Sequence, residues 1–244
     1  MPTISAEDRH LTVLNLFRTD APEKQQRLLH EMRSIVDTAG FPGWISSTVH
    51  SGQDKLGTAN FIQWRSREDL LLRYEGEKFK HATVPLFGEL STWMKLLQTE
   101  VVSTQRHPSQ GDVTAVSPGR DDYTVIDFYG VADSDQDQLV ELLSAQDWLL
   151  ATPGYRSHSV LRGVGARGYD GAFVVVYSQW DDKESYDAYR IVPEADQPPA
   201  RREAQARLDT LVTVHEWNTY RVVHTRSAGQ PPVGPAAATT AESH

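Results

Sequence analysis

Cysteine is absent from the 244 residues, which excludes disulfides, thiolate metal sites, iron–sulfur clusters and cysteine nucleophiles together. No apolar run approaches the ~18 residues of a membrane span, and the opening MPTISAEDRH lacks the basic-then-apolar order of a secretory leader. A cytoplasmic protein without a membrane partner is expected. There is no run of five Lys or Arg and the net charge is −9, so nucleic acid is not an expected partner either. The nine histidines fall into no H-x-H or H-E-x-x-H spacing, and no serine sits in a G-x-S-x-G elbow, so neither a metal nor a hydrolase triad is expected. One G-x-G-x-x-G does occur, from Gly163 to Gly168. It leads into another strand-like run (172–180) rather than into a helix whose N-terminus could meet a pyrophosphate, and therefore reads as a glycine-rich hairpin.

Set against these absences, 39% hydrophobic and 23% charged residues are enough for a packed core. The chain also repeats itself. LTVLNLF (11–17) lies over YTVIDFY (123–129), PGW (42–44) over PGY (153–155), and FIQWRSRED (61–69) over YSQWDDKES (177–185), in the same order at an offset of roughly 111–116 residues. Two related domains of about a hundred residues each, acting as a built-in dimer, are expected: 8–104, a Ser/Pro/Gly-rich linker 105–120, then 121–225. Residues 226–244 have the composition of a disordered tail.

Each copy shows one element order. In the first, residues 11–17 have strand composition, and Asp20-Ala21-Pro22-Glu23 is a helix-start signal. Leu28, Leu29, Met32, Ile35, Val36 and Ala39 then recur at helical spacing until Gly40 and Pro42 stop them. Residues 44–50 and 58–64 form a hairpin, Ser66 caps a second helical region, and residues 99–104 close the unit as a strand. The second copy repeats this with caps expected at Ser134 and Asp181. The order β-α-β-β-α-β is a ferredoxin-like split βαβ unit, whose helices cover one sheet face and leave the other to a partner. The predicted fold class is therefore α+β, with two such units in tandem, their sheets packed face to face as an intramolecular dimeric α+β barrel. A pocket is expected between each sheet and its helices.

Asn15, Asn60 and Trp64 are the most chemical-looking set. Strand alternation puts Asn60, Ile62 and Trp64 on one face, and Asn15 on one face with Phe17. Asparagine is depleted in strands and a buried amide costs about 1–3 kcal/mol unless bonded, so an inward pair of amides points to a ligand. The competing structural explanation is that Asn60 ends a hairpin and Trp64, which recurs as Trp180, is packing.

The element order, the Asn60-x-x-x-Trp64 block and Asn15 resemble the antibiotic biosynthesis monooxygenase family, in particular its quinone-forming members from aromatic polyketide pathways. The resemblance covers residues 8–104 closely and 121–225 more distantly. It implies ferredoxin-like barrel dimers that oxidise anthrone-type aromatics with O2 as co-substrate and no metal, flavin or haem. It assigns catalysis to Asn15, Asn60 and Trp64, and places Phe17, Ile62, Tyr74 and His81 near an aromatic polyketide substrate. The family's basic residue on the second helix has no clear counterpart, with Lys78, Lys80 and His81 in the region. In the second copy Asp127 stands for Asn15 and Val176 for Asn60, so the first copy is expected to hold the active pocket. Two rival readings accompany this one: a haem-degrading relative, opposed by Tyr74 where the axial histidine belongs, and a non-oxidative polyketide-binding protein or cyclase.

Overall fold

The computed structural model describes residues 1–231; the remainder of the expected tail, 232–244, lies outside the described residues. Strand β1 (Thr3–Ile4) precedes a first run: β2 (Leu11–Arg18), α1 (Pro22–Thr38), β3 (Trp44–Gly52), β4 (Gly57–Trp64), α2 (Arg67–Glu75), α3 (Val84–Leu90) and β5 (Trp93–Arg106). Strand β6 (Thr114–Ala115) pairs with β1. A second run follows: β7 (Tyr123–Val131), α4 (Gln136–Ser144), β8 (Tyr155–Arg167), β9 (Ala172–Trp180), α5 (Lys183–Arg190), α6 (Pro199–Leu211) and β10 (Val212–Ser227). Among the described residues no helix is long and apolar enough to cross a membrane.

The long strands form one closed eight-stranded barrel in the order β10-β3-β4-β2-β5-β8-β9-β7. The expected α+β barrel is thus one continuous closed sheet rather than two sheets packed face to face. The last strand of each run pairs antiparallel with the second strand of the other, β5 with β8 and β10 with β3. Closure pairs the backbone groups that two separate sheets would leave open at four edges.

Alternation along the strands divides the core. Leu14, Leu16, Phe61 and Leu97 meet Phe128, Leu161, Phe173 and Tyr177 inside the barrel. The intervening residues of β2 and β4, among them Val13, Phe17 and Trp64, point outward beneath the helices. Asn15 and Asn60 share that outward parity.

Several local expectations are corrected. Helix α1 is capped by Ala21 without a side-chain bond, because Asp20 pairs with Lys24 at 2.8 Å instead. The second-run caps shift by one residue each. Asp135 precedes α4 with no side-chain cap, and Asp182 caps α5 by accepting from the Ser185 amide while Asp181 is held by Arg156. Strand β5 begins at Trp93, not Thr99; Lys95 disguised it, a buried lysine paired with Glu216 at 2.8 Å and lying over Phe128. Residues 105–120 are not featureless, since they finish β5 and supply β6. Arg226 and Ser227 belong to β10 rather than to a tail. Arg226 is buried and donates to the carbonyls of Val36 and Ala39, providing the cation that the last turn of α1 lacks.

Candidate functional site

Gly43 initiates the geometry of the site. Its φ of +73° suits glycine, and the space a Cβ would need is filled by Asp69 in the first turn of α2. Asp69 receives two bonds from Arg65, at 2.9 and 2.8 Å, and its amide donates to Ser66 Oγ, which caps the helix. Gly154 does the same in the second run, at φ +76° against Ser185 in the first turn of α5. The recurrent Pro-Gly-aromatic motif is thus the seat on which each second-helix region rests. Helix α2 is thereby held over β2 and β4 with Leu70, Arg73 and Tyr74 on its inner side.

Between this layer and the sheet lies a cavity lined by Asn15, Asn60, Ile62, Trp64 and Tyr74, among others. Five of the sequence-predicted residues therefore meet. Two do not. Phe17 packs behind the chamber, edge-on to Phe87 at 5.3 Å, and His81 lies on the surface against Glu77 at 3.1 Å. Sequence reasoning missed Phe41, Trp44 and Phe79, which complete the aromatic wall, and Arg73. Arg73 could have been found from spacing, because it lies three residues after buried Leu70 and beside Tyr74 on a short helix. Its guanidinium stacks over Phe41 at 4.4 Å and Phe79 at 4.9 Å, and burial lowers its pKa below the ordinary arginine range.

The polar groups of the chamber are incompletely satisfied. Asn15 and Asn60 are direct partners in the β2–β4 ladder. Asn15 Oδ1, Asn60 Oδ1, Trp64 Nε1 and the Tyr74 hydroxyl are all buried with no hydrogen-bond partner among the described residues. Trp44, by contrast, donates to Ser47 Oγ at 2.9 Å. Trp180, the counterpart of Trp64, donates to Ser178 Oγ at 3.2 Å; the first run has Ile62 two residues before its tryptophan and offers no such acceptor. Tyr74 stacks on Phe79 at 4.7 Å, and burial, partly offset by Arg167 and Arg73, pushes its phenol up to about 12, so it is a donor at neutral pH. The chamber lining contains no histidine or carboxylate, and no cluster of three or more potential metal ligands occurs among the described residues.

No family model matches the chain, and none of the curated proteins matches it closely. Solved structures do. The chain is 52% identical to an anthrone oxidase-like protein, with a TM-score of 0.93 over 96% of this chain and 100% of that one. Proposed monooxygenases from Fusobacterium nucleatum (TM-score 0.58, 9% identity, 91% and 95% coverage) and Lactobacillus acidophilus (0.53, 11%, 90% and 96%) share the fold. The closed barrel and these likenesses define a class of α+β barrel proteins. Within that class, the chain belongs to the family of anthrone oxidase-like proteins.

Proposed function

We propose that the first-run chamber is the active site of an oxygenase that needs no resident cofactor and oxidises an anthrone- or hydroquinone-type polycyclic aromatic, such as an aromatic polyketide, to a quinone with O2. The observation that carries this reading is the set of four buried, unpartnered polar atoms, from Asn15, Asn60, Trp64 and Tyr74, around one largely apolar chamber. Each costs about 1–3 kcal/mol unless a ligand satisfies it. A flat substrate bearing a carbonyl and phenolic hydroxyls supplies complementary groups.

For an anthrone, loss of a ring C–H proton gives the enolate. The enolate transfers its electrons to O2, a C–O bond forms, and the hydroperoxide loses water to leave the new carbonyl. One oxygen atom stays in the quinone and the other leaves as water, with every electron drawn from the substrate. Amide N–H groups of Asn15 and Asn60 would donate to the enolate oxygen, a role strongest where water is excluded. Asparagine is no base, so the substrate's own acidity, aided by the positive charge of Arg73, would supply the anion. Trp64 would stack on the ring system.

The same reading extends to the architecture: the chain acts as a fused pair, in which residues 8–104 carry this chemistry and 121–225 serve as its partner. Supporting this are Asp127 opposite Val176, at the ladder position of Asn15 opposite Asn60, and the matching seats of Gly43 and Gly154.

The test is O2 uptake by the purified chain with 1,8-dihydroxy-9-anthrone. One O2 consumed per quinone formed, with one atom of labelled oxygen in the product, is expected. Binding without O2 uptake would overturn the reading in favour of a binding protein or cyclase.

A further inference from the structure

The second run has a cavity of its own between its strands and helices, and it is roomier than the first. Its wall is aromatic. Trp180 lies 5.4 Å from Tyr186 and 5.1 Å from Tyr189 between ring centroids. Its polar groups differ from those of the first chamber. Asp127 Oδ1 lies 2.8 Å from His215 Nε2, and the imidazole stacks on Tyr129 with centroids 4.4 Å apart and planes within 7°. A carboxylate accepting from Nε2–H selects the tautomer whose Nδ1 is a free acceptor, and no described residue bonds that Nδ1. Two more atoms on the lining are buried without partners among the described residues: Trp148 Nε1 and His158 Nε2. His158 is only 1% exposed, and its other nitrogen is already engaged by the Tyr155 hydroxyl at 2.9 Å. Arg190 and Arg201 line the same space, Arg201 stacked over Tyr189 at 3.9 Å.

A region kept only to support its partner would be expected to fill with apolar side chains. Instead this one keeps an open chamber, orphaned polar atoms that cost energy unless bonded, and an acid–imidazole pair on the wall. We propose that it is a second ligand site, selective for a planar hydroxylated aromatic. The ring lies along Trp180, Tyr186 and Tyr189. Its hydroxyl meets His215 Nδ1, which takes the phenolic proton; the O–H bond breaks, an N–H bond forms, and Asp127 stabilises the imidazolium. Arg190 and Arg201 offset the phenolate charge. The inference is independent of whether the first chamber performs oxygenation.

Titration calorimetry of the whole chain with 1,8-dihydroxyanthraquinone tests it. Two sites per chain are expected. Asp127→Asn, which keeps the shape and removes the charge, should weaken one site at least tenfold and leave the other, whereas Asn60→Ala should affect only the other. Gln205→Trp, on the exposed rim of the second cavity, is a variant that leaves the core alone and should block the same site as Asp127→Asn. The dimethoxy form of the probe, which has no proton to give, should lose the site that Asp127→Asn weakens. A titration in which no site is weakened by Asp127→Asn and Gln205→Trp overturns the proposal.

Discussion

Asn15 and Asn60 stand directly opposite each other in the β2–β4 ladder, and neither side-chain oxygen has a partner among the described residues. At the matching place in β7 and β9, Asp127 faces Val176. The pair of substitutions Asn60→Ala and Val176→Ala should therefore separate catalysis from stability. In the proposed mechanism Asn60→Ala removes an amide donor to the developing oxyanion, and it is expected to lower kcat on the order of 10²-fold, with the urea midpoint little changed. Val176→Ala enlarges an existing cavity and is expected to cost about 1–2 kcal/mol with kcat unchanged. Equal loss of turnover in both would mean that one site is shared between the two runs.

Tyr74 and Trp64 allow the opposite trade. Each buries a donor with no partner among the described residues, so Tyr74→Phe, which removes only the hydroxyl, should stabilise the ligand-free chain by about 1 kcal/mol while reducing turnover. Trp64→Phe should lower turnover less than Asn60→Ala, because it keeps an aromatic face, but it also loses core contacts with Leu70 and Trp44. Urea midpoints and quinone formation measured on the same preparations check both. A Tyr74→Phe chain less stable than the parent would show that the hydroxyl is satisfied in solution.

The fold was legible where the chain obeys local rules. Strand alternation in LTVLNLF and the apolar face of α1 determine their own structure, and Ser66 caps α2 as its sequence requires. It was obscure where tertiary contacts override local signals: Lys95 is buried only because Glu216, distant in sequence, neutralises it, and Arg226 joins β10 because α1 ends beneath it. For the site, parity along β2 and β4 was enough to unite Asn15, Asn60, Ile62 and Trp64. It also put Phe17 on the correct face but could not show that Phe87 would cover it. His81 was drawn in by residue type, whereas the helix face that looks inward carries Arg73.

Two buried histidines make stability depend on pH. Inside the barrel His50 Nε2 lies 2.8 Å from the Tyr177 hydroxyl, and His158 meets Tyr155; burial lowers both pKa values from 6.5 to about 4. The unfolded chain binds protons at these sites below pH ~6.5 while the folded chain does not until about pH 4. Their contribution is therefore complete above pH 6.5 and is lost as pH falls, by up to ~1.4 kcal/mol per pH unit for each histidine. Urea midpoints recorded from pH 7 to pH 4.5 should fall steadily, and His50→Gln, which keeps a polar partner for Tyr177, should flatten the slope by roughly half the histidine contribution. An unchanged slope in that variant would assign the acid sensitivity to other groups.

Gly43 and Gly154 give the last test, because they share a conformation but sit under different helices. Alanine at either position is forced to a positive φ and drives its Cβ into a helix start, Asp69 in one case and Ser185 in the other. Both Gly43→Ala and Gly154→Ala should lose stability, by at least about 1–2 kcal/mol each. Their effects on turnover should differ. Lifting α2 moves Arg73 and Tyr74 off the first chamber, so Gly43→Ala should lower kcat and raise KM even at temperatures where the chain is fully folded. Helix α5 carries Tyr186, Tyr189 and Arg190 of the second cavity instead, so Gly154→Ala should turn over normally once its folded fraction is taken into account. Circular dichroism melts paired with quinone formation at a temperature well below both transitions measure the two quantities separately. If Gly154→Ala proved as inactive as Gly43→Ala, the two runs would be coupled in catalysis, and the assignment of oxygenation to the first chamber alone would fail.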